Sequence, residues 1–217
     1  MLTVPEEFLL LTLKDEGGDF VVIPIESLRA GFVGAALMEL ALLDRLDCDT
    51  NEVWIVDETP TGNGSLDPVL ARLSTPGFKN QSDGIIEQLV DLGDASREAS
   101  LTRLCDKGIL VETEGRLLWL LRTRRYPMFD GKEIREVKLR LLDVLLRDGL
   151  PDPRDVCLMS LAETCGITSQ IVPVSKMELA RERMTKFSKM ELIGQNVRQH
   201  LEIFTRAMVL AIHSDLC

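Results

Sequence analysis

Apolar residues along this chain fall into two kinds of run. Some recur every three or four positions, the spacing of one helix face, and others are short, continuous and closed by polar turns. Pro5-Glu6-Glu7 leading into Phe8 to Leu13 predicts a short helix. Proline suits the first turn, the acids suit the positive dipole end, and Gly17-Gly18 supplies the stop. Phe20 to Ile25 predicts a strand or extended loop closed near Pro24. Ser27 is placed to cap a second helix running to about Arg45. Its Leu28, Phe32, Ala35, Ala36, Leu40 and Leu43 make a broad apolar face that belongs in the centre of the core.

Leu46 to Val56 then predicts strand, polar turn and strand. The same arrangement returns later. A helix from about Ala95 to Lys107 stops at Gly108, and Ile109-Leu110-Val111 and Leu117 to Leu121 flank a turn at Glu112-Thr113-Glu114-Gly115. Shorter helices are predicted near Leu66 to Leu73 and Asp83 to Leu92, separated by Pro76-Gly77, after a glycine-rich turn at Thr61-Gly62-Asn63-Gly64. Beyond Pro127 helical spacing dominates. It covers Lys132 to Arg147, a helix opened by Pro151 and Pro153 and closed by Gly166, and one with Met177, Ala180, Met184 and Phe187 on one face. A last helix runs from about Ile193 to His213, and its Ala207 to Ile212, apolar all round, predicts burial. The fold class is therefore mainly α. We read residues 1–217 as a single domain, a helical bundle with two β-hairpins following helices in a winged-helix-like pseudo-repeat.

Charge changes the picture in one respect. The net charge is −10, which argues against broad nucleic-acid binding. Yet Arg116 to Arg147 holds nine basic residues against four acids. Part of that excess is consistent with a solvated helix face carrying ion pairs such as Glu136 with Arg140. The tightest part, Arg122, Arg124 and Arg125, directly follows the second hairpin, and guanidinium groups suit phosphate. Leu117, Leu118, Trp119 and Leu120 beside it do not alternate as a half-buried strand does. They fit burial inside the fold, a contact with another subunit, or a membrane-inserting edge.

Other chemistry is sparse. The sequence has no G-x-S-x-G, H-E-x-x-H or P-loop signature, so no catalytic residue is nominated and no enzyme is expected. Cys48, Cys105, Cys157, Cys165 and Cys217 form no C-x-x-C pair. They read as small apolar residues in a reduced compartment, with no metal site and no cofactor implied. His200 and His213 are too far apart on one helix to act together, and His200 reads as a solvated or hydrogen-bonded helix residue. The N-terminus lacks the basic region of a signal peptide, and no run reaches the ~18 to 20 apolar residues that span a bilayer. The expected place is cytoplasmic, with any membrane contact peripheral and on the inner face.

Several blocks together resemble the Golgi phosphoprotein 3 family. They are Pro5 to Leu11 with Leu13-Lys14-Asp15, Gly31 to Leu42, Pro60-Thr61-Gly62 with Leu66-Asp67, Cys105 to Leu110, and Pro151-Asp152-Pro153-Arg154. The resemblance implies a mainly helical fold with a protruding hairpin that mediates self-association. It also implies a non-enzymatic peripheral membrane protein that binds phosphatidylinositol 4-phosphate and acts as an adaptor for cytoplasmic tails of membrane enzymes. The family's headgroup pocket uses one tryptophan and a few basic residues, and this chain departs from it. No tryptophan precedes Trp54, Val33 stands at one basic position, and Asp94 stands at another. Arg97 is retained, the basic N-terminal arm is missing, and Arg29, one turn before Val33, is the geometric substitute. A short N-terminus and an altered pocket are similar to the bacterial branch.

The expectation is therefore a peripheral membrane adaptor with a degenerate headgroup pocket, using Arg97, Arg29, Arg122, Arg124 and Arg125 toward anionic lipid. Leu117 to Leu120 are then the oligomer or membrane hairpin. The alternatives are a protein–protein scaffold without lipid binding and, third, a winged-helix nucleic-acid binder. Asp94, Glu98 and Asp106 on the helix before the hairpin weigh against the third, so no nucleic-acid partner is expected.

Overall fold

The computed structural model describes residues 1–14, 18–117, 121–147, 151–187 and 195–214, with backbone alone for 114–117, 121–124, 195–199, 201 and 214. The fold is mainly helical. Its centre is α1 (Val4–Leu11), every residue of which is buried. Thr3 precedes it, and Glu6 reaches back to accept from the Thr3 N–H at 2.7 Å, so the first turn is closed by its own acid. Around α1 lie α2 (Ile25–Leu42), α5 (Gly93–Asp106), α6 (Lys132–Leu146) and α7 (Pro153–Thr164). Helix α9 (Gln195–Ser214) covers the far side of α2, and α8 (Met177–Phe187) bridges α6 and α7. The short α3 (Asp67–Leu73) and α4 (Ile85–Leu89), with 3-10 turns at Ser82–Gly84 and Val90–Leu92, lead into α5. Buried apolar side chains from all these helices form one cluster, built around Phe8 against Phe32 with ring centroids 5.1 Å apart.

Two local expectations change, and a third is decided between its alternatives. Helix α2 starts at Ile25 behind Pro24, so Ser27 is not a cap but a buried residue of its first turn. Proline's fixed φ starts the helix earlier than the serine signal does. Of the strand or extended loop expected over Phe20–Ile25, the extended loop is what forms. Phe20 makes one bridge to Leu13, and the chain then runs without regular structure to α2. In α9, Ala207, Met208 and Ala211 are buried, whereas Val209 and Leu210 are 40% and 48% exposed. Only one face meets α2, where Met208 fills the space left by Gly34.

Both expected hairpins form. Strands β1 (Leu46–Cys48) and β2 (Val53–Ile55) pair antiparallel after α2. The second hairpin, after α5, is shifted from its expected register. Strand β3 is Thr113–Leu117 and β4 is Leu121–Arg125, paired Glu114↔Arg124, Arg116↔Arg122 and Leu117↔Leu121. The expected turn, Glu112 to Gly115, is therefore mostly strand, and the connection is Leu118-Trp119-Leu120, which lies outside the described residues. The register is set at the root. Leu110 bridges Met128, Val111 N–H donates to Pro127 O at 3.0 Å, and Tyr126 N–H donates to Gly18 O at 2.9 Å. Backbone pairing at this buried base outweighs the apolarity that marked Leu117–Leu121 as one strand.

Candidate functional site

Two of the expected anion contacts come together although 68 positions separate them in sequence. Arg29 projects from the first turns of α2, and Asp94 and Arg97 from the first turn of α5. Arg29 Nε donates to Asp94 Oδ2 at 2.8 Å and its Nη2 lies 2.7 Å from the same oxygen. Arg97 Nη2 stands 3.7 Å from Asp94 Oδ1 and 3.3 Å from Glu98 Oε1, and Arg29 Nη1 is 3.0 Å from Glu26 Oε1. The hydrogen bond and charge of Asp94 hold the Arg29 pKa above its ordinary value. Two cations thus meet three acids, and the pair is neutralised from within. Val33 is fully buried, so its side chain contributes to the core.

The hairpin arginines are elsewhere. From Arg97 to Lys107, where the chain leaves α5 for the hairpin, the helix rises about 15 Å. Arg125 is half-buried at the root and pairs with Asp19 at 3.0 Å. The backbones of Leu117, Arg122 and Arg124 lie in β3 and β4, and their side chains fall outside the described residues, as do Leu118, Trp119 and Leu120 altogether.

Among its described side chains, most of the basic stretch is paired. Arg140 does not pair with Glu136. Its Nε donates to Asp155 Oδ1 at 2.5 Å and its Nη2 to Glu7 Oε1 at 3.0 Å. Lys132 takes Glu136 instead, at 3.7 Å, and Arg147 takes Asp143 at 3.0 Å.

Arg140 belongs to a buried ionic network that the sequence reading did not foresee. Glu6, fully buried, accepts from Arg103 Nε at 3.1 Å and Lys107 Nζ at 2.6 Å. Glu39 Oε2 accepts from Arg154 Nη1 at 2.6 Å and from the Val4 N–H at 2.8 Å, and Oε1 accepts from Arg154 Nη2 at 3.2 Å. Four carboxylates and four cations from α1, α2, α5, α6, α7 and the residue capping α5 therefore surround α1. A signal was present: Glu6-Glu7, Glu39, Lys107 and Arg154 each sit inside one of the blocks quoted above. The block at Pro60 has a similar local role, Asp67 Oδ1 accepting from Thr61 N–H at 2.7 Å and Oδ2 from Gly62 N–H at 3.0 Å.

The acids of this network titrate in opposite directions. Burial raises the Glu6 pKa, but the hydrogen bonds from Lys107, Thr3 and Arg103 and the Lys107 charge outweigh it, leaving the group lowered. For Glu7 and Asp155 burial wins over Arg140, and both are raised. Glu7 Oε2 is buried without a partner. A lowered folded pKa means that Glu6 contributes stability fully above the ordinary glutamate value and loses it as pH falls through the folded one. Glu6→Gln should cost about 1–3 kcal/mol at pH 7. In urea titrations its gap from the parent should close below roughly pH 4; a gap unchanged to pH 3 contradicts the assignment.

Other chemistry-bearing side chains have structural partners. His200 is buried, with Nε2 2.9 Å from Asp47 Oδ1, tying α9 to β1. Burial pushes the thiols of Cys48, Cys157 and Cys165 up to about 12. Among the described residues no group of His, Cys, Asp and Glu could hold a metal, and no helix is long and apolar enough to cross a membrane. A slot of about 200 Å³ between α7, α8 and α9, floored by Ser160 and Thr205, is smaller than most ligand pockets.

The sequence profile of the family described as Golgi phosphoprotein 3 (GPP34) matches residues 4–203. No curated protein matches the chain significantly.

Proposed function

The chain belongs to the Golgi phosphoprotein 3 family, and from that premise we propose that it is a non-enzymatic peripheral membrane adaptor. It meets an anionic bilayer through the β3–β4 hairpin, engages phosphate through Arg29 and Arg97, and holds cytoplasmic tails of membrane enzymes. One observation carries the reading. The register Leu117↔Leu121 leaves Leu118-Trp119-Leu120 as the connection between strands whose positions 116, 122, 124 and 125 are all arginine. An apolar stretch with a tryptophan suits the bilayer interface, and each arginine near an anionic surface adds ~1 kcal/mol of attraction. The same hairpin is the proposed contact for self-association.

A second reading is a protein scaffold without lipid binding. Asp94 favours it, because the Arg29–Arg97 pair is already neutralised. Commitment of Arg103 and Lys107 to Glu6 leaves α5 few cations for a nucleic acid, which supports neither partner being DNA or RNA.

Sedimentation with neutral, anionic and phosphatidylinositol 4-phosphate-doped vesicles at two salt concentrations tests the proposal. Salt-sensitive binding to anionic vesicles is expected. Arg122→Ser, Arg124→Ser and Arg125→Ser combined should weaken it at least tenfold, since Arg122 and Arg124 alone account for ~2 kcal/mol. Absence of binding to every vesicle sinks the membrane reading and leaves the scaffold.

A further inference from the structure

We infer that the slot between α7, α8 and α9 is a binding site for a small primary aliphatic amine, held as its ammonium ion. The inference goes beyond the reading of the protein as a membrane adaptor and does not depend on it.

Three helices converge on the slot. Met159, Ser160 and Glu163 come from α7, Met184 and Phe187 from α8, and Thr205 from α9. The inner wall is apolar, with Met159 and Phe187 each 3% exposed. Met184 beside them is partly buried. Thioether side chains adapt their shape to what they meet, so this wall suits a flexible aliphatic chain.

The polar groups are rich in acceptors and poor in donors. Ser160 Oγ and Thr205 Oγ1 lie 2.6 Å apart, so one hydroxyl donates to the other. That bond uses one O–H and one lone pair, which leaves one O–H and three lone pairs. Glu163 is exposed, and among the described residues nothing donates to its carboxylate. It is the one ionised group among the described residues lining the slot. Arg183 lies over the Phe187 ring, 5.6 Å from its centroid, and does not line the slot.

A primary ammonium has three donors and no acceptor, the complement of this set. An alcohol brings one donor, and a carboxylate brings none and meets the Glu163 charge. Reach agrees with this choice. Ser160 and Glu163 are three residues apart on α7, which sets their Cβ atoms about 5–6 Å apart on one helix face. An ammonium between them touches both, and Thr205 Oγ1 supplies a third acceptor. Volume sets the chain length. A cavity of about 150 Å³ takes benzene, so a slot of about 200 Å³ takes the head group and roughly five carbons.

The test is a titration at pH 7, where an alkylamine is protonated as lysine is, followed through isotope-labelled methionine methyl resonances. Pentylamine, pentan-1-ol and pentanoate are compared, and Met159→Leu and Met184→Leu assign the two reporting methyls. Pentylamine should shift both methyls saturably, pentan-1-ol should bind about tenfold more weakly, and pentanoate should not bind. Glu163→Gln should weaken pentylamine about fivefold and leave pentan-1-ol unchanged. Ser160→Ala should also weaken pentylamine, with thermal unfolding measured alongside so that a loss of fold is not read as a loss of site. No saturable shift, equal affinity for the three probes, or a pentylamine affinity unchanged in Glu163→Gln overturns the inference. Vesicle sedimentation enters none of these outcomes, so the membrane reading and the amine site fall separately.

Discussion

Replacing Glu39 by alanine is expected to lower the unfolding free energy by about 3–5 kcal/mol, the range for stripping one partner from a buried ion pair. Glu39 is 3% exposed and takes both terminal nitrogens of Arg154 together with the first N–H of α1. Without it, the mostly buried Arg154 keeps one bond, to Leu2 O at 3.3 Å, and loses its paired carboxylate, with only the longer-range attraction of Glu7 left. The Val4 N–H loses its acceptor at a position with no exposure. A loss of this size is a large fraction of the roughly 5–15 kcal/mol that holds a typical domain. Equilibrium urea unfolding reads it directly. Adding Arg154→Met should recover part of the loss, because the orphaned charge leaves with its partner. If Glu39→Ala stays within about 1 kcal/mol of the parent, the network does not clasp α1.

The second large effect is expected at Gly18. Its φ is +66°, and an added Cβ would sit 2.1 Å from Pro127 N and 2.3 Å from Tyr126 C. Those atoms are backbone, so no side chain can turn aside, and Tyr126 N–H is already committed to Gly18 O. Gly18→Ala should cost about 2–4 kcal/mol through strain and displacement at the hairpin root. Gly108 supplies the comparison, since its φ is +69° with nothing within 4 Å. Gly108→Ala should cost only about 1–2 kcal/mol, the left-handed backbone term alone. Equal costs for the two would mean that the root can shift, and the close approach at Pro127 would then not hold the hairpin in place.

Much of this fold was legible as spacing. The helices over Lys132 to Leu146 and Met177 to Phe187 follow directly from three-and-four periodicity, and Gly166 does close α7. Ser27 as a cap gave way to Pro24 close by, whereas Leu117–Leu121 as one strand and Ala207–Ile212 as buried all round are local signals overruled by how segments distant in sequence pack. Of the candidate site, Arg29 was expected on geometric grounds, and the structure does bring it to Arg97. Its neutralisation by Asp94 could not be read, because spacing along α5 gives Asp94 and Arg97 one face but says nothing of what α2 presents to it. The ionic network was hidden for the opposite reason. Glu6 and Glu7 look like ordinary first-turn acids, and only total burial of an eight-residue helix turns them into interior charges.

That burial bears on how the chain acquires its structure during synthesis. Helix α1 precedes its partners in the chain: Glu6 finds its cations 97 and 101 residues later and Glu7 its arginine 133 residues later. Until α5 has been made Glu6 lacks its cations, and until α6 has been made Glu7 lacks its arginine; such distant contacts close slowly. Over that interval an apolar helix holds carboxylates that nothing yet pairs. Exposed apolar surface on α1 is an aggregation risk of the growing chain until then.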